Sequence, residues 1–247
     1  MRRIKSTVLL FVAVLMSFSI QAGPGIQVTA ISTSPQNAPK VAAALGEWMN
    51  GAGKNSGSRL ILQQAVADGG NPTTHSIVSM HSSMAAAEAF SNKVQGDEGM
   101  MAEWTAFLGK MVPISQIVAT SRSAHVTAWG DIDDDDTVWL VHSFSVNDVA
   151  SMYRALDAYM KSDTGKKFPG EAHLFATIAG GANAPSHFLA LGYKSQAEME
   201  SWNEMTLGSA DLRALLSTLQ AVTEYHGANL AITRAAWGKS TKSVLKR

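Results

Sequence analysis

The sequence predicts an α+β protein built as two tandem β-α-β-β-α-β repeats, each a four-stranded antiparallel sheet with both helices on one face. Three observations carry that expectation. The second half repeats the first at a spacing of about 112 residues, since residues 58–122 slide over 170–234 without a gap. Leu62 meets Leu174, Gly69 meets Gly181, Asn71 meets Asn183, His75 meets His187, Ser83 meets Ser195, Gly96 meets Gly208 and Arg122 meets Arg234. These matches fall at turns and caps as well as at apolar positions, so shared composition explains them poorly. The hydrophobic period then switches between that of a strand and that of a helix in the same order in both copies. Finally, the strands are apolar on both faces: Val138, Leu140 and Phe144 oppose Trp139 and Val141, and Leu189 and Leu191 oppose Phe188 and Ala190. A sheet covered only by helices would show a polar outer face, so each sheet is expected to cover the other.

The elements follow in order. Residues 1–22 read as a signal peptide, with Arg2, Arg3 and Lys5 ahead of the apolar stretch Val8–Ile20 and a small-residue cleavage site after Ala22. The mature protein is therefore expected in the periplasm or medium, free of the membrane once cleaved. The first repeat spans 26–128. Ile26–Thr33 is rich in β-branched residues, and Pro39–Met49 places Val41, Leu45, Trp48 and Met49 on one helical stripe. Gly51–Gly57 is loop chemistry, Arg59–Ala67 a strand, and Asp68–Pro72 a hairpin turn that returns as His75–His81. Ser83 caps the next helix, which Gly96 stops and Asp97 restarts with Met100, Trp104, Phe107 and Leu108 on its buried face. An acidic connection, 129–136, reads as a solvated link rather than a calcium loop, because the loop's glycine and closing glutamate are missing.

The second repeat spans 137–238. Val138–Val146 opens it, and Val149–Met160 carries Met152, Leu156, Tyr159 and Met160 on its apolar stripe. Ala172–Ile178 and His187–Tyr193 form the hairpin, Ser195 caps the next helix, and Gly208-Ser209 interrupts that helix where Gly96-Asp97 interrupts its counterpart. Residues 239–247 make a basic C-terminal tail. One β-α-β-β-α-β unit of this kind is the ferredoxin-like arrangement.

Lysine plus arginine number 20 and aspartate plus glutamate 20, so no overall field draws in nucleic acid or an anionic membrane. The absence of cysteine removes disulfides and thiolate chemistry, leaving burial to hold the exported chain together. No phosphate-cradling loop, HExxH signature or nucleophile-and-base motif is present. No cofactor or metal is expected from the motifs, and none of them names a reaction.

The element order and the duplicated hairpins, Gly69-Gly70-Asn71-Pro72-Thr73-Thr74-His75 and Gly180-Gly181-Ala182-Asn183-Ala184-Pro185-Ser186-His187, resemble the dimeric α/β-barrel superfamily in a tandem fused form, over about 26–238. The resemblance implies two sheets packed as an α/β barrel pseudo-dimer, and an assembly that is either a monomeric pseudo-dimer or a homodimer. It implies a range of activities, among them antibiotic-biosynthesis-type monooxygenases, haem-degrading enzymes, lactone isomerases and chlorite dismutase-like haem proteins. Function must then be argued from the site.

Candidates for that site are sparse. His75 and His187 are a repeated pair suited to proton transfer or metal binding, and equally to bonding the hairpin turn they follow. His142 has no histidine counterpart in the first copy, which makes it the leading candidate for a cavity. His81 and Tyr193 are positional equivalents that line a pocket or its rim, and Arg122 and Arg234, closing the fourth strands, would clamp a carboxylate or reach solvent. His173, beside Glu171, reads as an exposed edge position. Register decides which strand faces line the cavity, and the sequence leaves it open. The leading expectation is an exported protein that binds a small hydrophobic molecule in an inter-sheet cavity, with cofactor-independent oxidation or isomerisation as its chemistry. The rivals are a non-enzymatic periplasmic interaction or stress-response module, and a haem enzyme of the chlorite dismutase-like type.

Overall fold

The computed structural model describes residues 23–67, 69–181 and 183–246. The predicted signal peptide lies outside the described residues. Strand β1 (Gly25–Ser32) leads through helix α1 (Ala38–Asn50) and a 3-10 turn (Ala52–Ser56) to β2 (Arg59–Ala67), which returns as β3 (His75–His81). Helices α2 (Met84–Gly96) and α3 (Glu98–Met111) precede the long β4 (Gln116–Gly130). The second copy runs β5 (Val138–Val146), α4 (Val149–Lys161), β6 (Glu171–Ala179), β7 (His187–Tyr193), α5 (Gln196–Thr206), α6 (Ala210–Val222) and β8 (Thr223–Gly238), and α7 (Thr241–Leu245) follows.

The capping expected from the sequence is present in both copies. Ser83 accepts the Ala86 N–H and Ser195 the Glu198 N–H, while Asp97 and Ser209 restart the interrupted helices by accepting from Met100 and Leu212. Each of these side chains satisfies one of the donors that a helix start leaves without an intrahelical partner.

The eight strands close into one antiparallel barrel in the order β1-β3-β2-β8-β5-β7-β6-β4. Within each repeat the order is fourth, first, third, second, as in a ferredoxin-like sheet. What joins the two sheets is the length of β4 and β8, at 15 and 16 residues. The first part of β4 pairs with β1 of its own repeat, and the remainder, Arg122 to Gly130, pairs with β6 of the other. Strand β8 does the same, pairing with β5 up to Ile232 and with β2 from Leu230 to Gly238. Arg122 and Arg234 therefore do not close their strands, contrary to the sequence expectation. They stand where each strand passes from one sheet to the other, beside register shifts that bend it. The strands end at Gly130 and Gly238, with φ of 85° and 90°. A Cβ at either would strike a carbonyl oxygen, of Gly170 or Ser58, as well as strain the backbone.

Apolar residues on both faces of each strand produce separate cores. Helices α1 to α3 pack on the outside of the first sheet around Trp48, Trp104, Phe107, Leu108 and Met111. Met152, Leu156, Leu215 and Leu219 do the same for the second, with a neighbouring cluster of Val138, Tyr193 and Trp202. Between the sheets lies a fourth cluster, with Ile26, Ile61, Met80, Phe175 and Ala190. The C-terminal segment belongs to this inner cluster: Val244 and Leu245 of α7 are buried in it, so the residues read as a basic tail form a plug at one end of the barrel. The acidic run holds that plug and is more than a solvated link. Asp134 accepts the Thr241 N–H and pairs with Arg59 at 3.2 Å, and buried Asp136 accepts the Glu171 N–H.

Candidate functional site

The register settles which strand faces look inward. Val28, Ile61, Val78, Trp139, Val141, Phe175, Phe188 and Ala190 face the barrel interior and line a cavity of about 240 Å³. That is below the roughly 300–1,000 Å³ of sites for drug-sized ligands. Toward the plug the cavity ends on Met80, Trp139, His173, Phe175 and Thr241; toward the opposite end it is lined by Ala30, Gln63, Ser76, Ser121, Ser143 and Asn229. Among the described residues, that rim offers neutral hydrogen-bonding groups.

Behind the plugged end lies a buried polar chain. His125 Nε2 and His173 Nδ1 are 3.2 Å apart, and His173 Nε2 is 3.1 Å from Glu171 Oε2. Glu171 and His173 are each 1% exposed, and His125 is 8% exposed. Burial, with Asp133 and Asp134 nearby, pushes the Glu171 carboxyl up to about 8, and burial lowers His173 to about 4. At neutral pH Glu171 is therefore a carboxylic acid beside a neutral imidazole. The His125–His173 contact is a hydrogen bond, whereas Glu171 Oε2 and His173 Nε2 face each other without one. Adjacent to this chain, the Trp139 ring lies 6.1 Å from that of His173, and its Nε1–H is sealed from solvent without an acceptor among the described residues. An orphaned buried donor of this kind costs about 1–3 kcal/mol.

None of the seven residues singled out from the sequence lines this cavity. His75 and His187 begin β3 and β7, where their Nδ1 atoms meet the hydroxyls of Thr74 and Ser186 at 3.1 and 2.9 Å. Those hydroxyls tie each hairpin to the end of its repeat's first strand, Thr74 receiving the Thr33 N–H and Ser186 the Val146 N–H. Ser186→Ala is accordingly expected to lower stability by about 1–2 kcal/mol, through loss of the Val146 contact, measured by urea denaturation. His142 shares the helix-facing side of β5 with Val138 and Phe144 and meets the Tyr225 hydroxyl at 3.2 Å. Tyr193 is fully buried between Val138 and Trp202, with its ring edge-on to Phe168, and burial pushes its hydroxyl pKa up. Arg122 donates to Gln27 and Arg234 to Gln64. His81 lines a second, smaller cleft of about 100 Å³ between the first sheet and its helices, with Gln27, Trp48 and Trp104. Burial and the Arg122 charge lower its pKa to about 4.

Two of the residues that do converge were legible in the alignment of the two halves. His173 falls opposite Ile61, and Glu171 opposite Arg59. His173 is not the exposed edge position expected of it, because β4 of the other repeat pairs alongside and the barrel has no edge there.

No family model matches the sequence, and no curated protein matches it. Solved structures do. A proposed monooxygenase from Lactobacillus acidophilus NCFM superposes with a TM-score of 0.60 at 8% identity, over 88% of this chain and 97% of that one. A second proposed monooxygenase, from Fusobacterium nucleatum subsp. nucleatum, gives 0.58 at 13% identity, over 90% and 97%. An anthrone oxidase-like protein gives 0.55 at 12% identity, over 89% and 94%. With its closed eight-stranded barrel, this chain has the dimeric α/β-barrel fold. It has that fold in the fused form, one polypeptide supplying both sheets.

Haem, which the resemblance read from the sequence implies, does not fit the residues present. No histidine lies on any described helix, and the cleft that His81 lines has only about 100 Å³. Among the described residues no group of three or more His, Asp or Glu side chains is arranged to hold a metal ion.

Proposed function

We propose that this is an exported protein that binds a small, mainly apolar organic molecule between its two sheets. The observation that carries the reading is the inter-sheet cavity itself, walled by Ile26, Val28, Ile61, Val78, Val141 and Phe188 and bordered by few polar groups, which is the composition of a ligand pocket. Burying apolar ligand surface there contributes roughly 25 cal/mol per Å² before the entropy of association is subtracted. The chemistry that suits such a pocket without a cofactor is oxidation or isomerisation of the bound molecule, with Glu171, His173 and His125 placing titratable groups beside the cavity floor. Export follows from the basic and apolar N-terminal segment, and cell fractionation tests it.

Filling the cavity tests the binding. Ala190→Phe puts a ring into the inner cluster and is expected to weaken naphthalene binding at least tenfold in calorimetric titration, while far-ultraviolet circular dichroism stays that of the parent. Unchanged affinity would place the apolar probe elsewhere and favour the interaction-module reading. Native mass spectrometry of protein purified from its own host would then identify the natural occupant by mass.

A further inference from the structure

The inter-sheet cavity reaches exposed Asn71 at the hairpin end of the barrel and is shut at the other end by the two segments that leave the barrel there. Strands β4 and β8 finish on that side, Gly130 opposite Glu171 and Gly238 opposite Arg59, so the acidic linker and the C-terminal tail cross the same opening. Asp134 of the linker accepts the Thr241 N–H at 3.0 Å and pairs with Arg59, whose Nη1 donates to the Lys239 carbonyl. Thr241 borders the cavity, and Val244 and Leu245 are buried in the inner cluster with Ile26, Met80 and Phe175. The floor of the cavity thus belongs in part to the C-terminus. Polarity changes along the cavity's length. Gln63, Ser76, Ser121, Ser143 and Asn229 lie toward the mouth, and Ile26, Met80, Phe175 and Ala190 toward the floor. No lysine, arginine, aspartate or glutamate is among the described residues that line it. Ala30 and Ile26, toward its two ends, are four residues apart on β1, about 13 Å at the rise of a strand. A volume of about 240 Å³ spread over that length leaves a bore of about 20 Å², the section of one alkyl chain.

We propose that the cavity holds a neutral single-chain amphiphile, its hydroxyl-bearing head among the side chains of the mouth and its alkyl chain directed at the floor, and that the C-terminal plug sets the length of chain accepted. This rests on the inter-sheet binding proposed above and names its ligand class. The head stays at the mouth because serine, glutamine and asparagine side chains there, and water beyond them, replace the hydrogen bonds it makes in solution. An ionised head of either sign would find no counter-charge among the described lining residues. Each methylene that enters is removed from water, until the chain end meets the plug; any further methylene has to remain outside the mouth and adds nothing. The cavity has the volume of about eight waters at roughly 30 Å³ each, and a methylene is nearly that size, which puts the limit near eight carbons.

The test titrates the mature protein calorimetrically with 1-alkanols from butanol to dodecanol. Affinity is expected to rise about fourfold per added methylene as far as about 1-octanol and then to level off. Octanoate at neutral pH should bind at least tenfold more weakly than 1-octanol. Thr241→Leu adds bulk at the floor and should bring the plateau one or two carbons earlier, whereas removing residues 240–247 takes the floor away and should carry the rise on to dodecanol. A plateau at the same chain length in the parent and in Thr241→Leu would overturn the role of the plug, and this comparison decides the matter should the shortened chain not fold. Octanoate binding as tightly as 1-octanol would overturn the neutral head. Alkanols that fail to bind a protein that does bind naphthalene would refute the amphiphile and leave the cavity reading standing. Failure of the alkanols and naphthalene alike would sink that reading, and this one with it.

Discussion

Trp104→Ala is expected to destabilise the protein by about 3–5 kcal/mol, read from urea midpoints with the slope unchanged. The indole is 7% exposed and meets Trp48 edge-on at 5.0 Å and Phe107 at 5.1 Å, at the centre of the cluster that fastens α1 and α3 to the first sheet. Alanine there removes buried surface and leaves a void that the paired helices cannot collapse to fill. The matching experiment on the second repeat, Leu219→Ala, removes a smaller side chain from the cluster around Phe144, Met152 and Leu156 and should cost about 2–3 kcal/mol. A Trp104 variant no less stable than the parent would mean that the aromatic cluster does not hold the helices.

The second large effect is on pH dependence. Glu171 keeps its proton in the folded state to about pH 8, whereas in the unfolded chain it loses it near 4.5. Between those values unfolding releases a proton, so raising the pH favours the unfolded state and stability falls, by at most about 1.4 kcal/mol per pH unit for one proton. Asp136, pushed up to about 6 chiefly by burial, acts in the same direction at lower pH. His173 acts oppositely: the unfolded chain takes up a proton below 6.5 that the folded state refuses until about 4, so stability is lost as pH falls through that range. Between pH 6.5 and 8 the lowered histidines, His75, His81, His142, His173 and His187, still oppose Glu171, so its contribution is read as a difference between two proteins. In urea melts the stability of the parent protein relative to Glu171→Gln, which cannot ionise, is expected to fall by on the order of 1–2 kcal/mol across that interval. Parallel curves for the two proteins would show that Glu171 is already ionised at neutral pH.

The fold was largely legible in the sequence because the signals that define it are local and duplicated. Ser83 and Ser195, Gly96 and Gly208, and the paired hairpins each mark a boundary by its own chemistry, and each is read twice. The barrel followed from strands apolar on both faces. The site was harder to read for a reason rooted in strand geometry. Alternation says that His75, Ser79 and His81 share a face and that Trp139 opposes His142, but not which face looks inward, and the whole inward set changes with that single choice. His142 lies on the helix side with Val138 and Phe144, and Trp139, one residue away, lies on the cavity side. The expectation that a site lies where the repeat breaks leads to the right alignment and the wrong strand. His173 opposite Ile61 and Glu171 opposite Arg59 are the differences that place titratable groups at the plugged end. His125 could not have been found this way, because a register shift between His125 and Thr127 throws the two copies out of step.

The strands that pass from one sheet into the other also bear on how such a chain comes to fold. Trp237, near the end of β8, packs against the helices of the first repeat, and Trp129, near the end of β4, against those of the second. Each half thus completes its neighbour's core with its own last strand, as two people clasp forearms. A half released alone would present several residues of unpaired strand and an uncovered apolar face, both invitations to self-association. The acidic linker changes that encounter from a meeting between molecules into one within a molecule, at an effective concentration in the millimolar range. Joining the halves also frees them from being identical, and a single polar corner, built from one copy's histidine, glutamate and tryptophan, is a specialisation that a symmetric pair of identical chains could not reach.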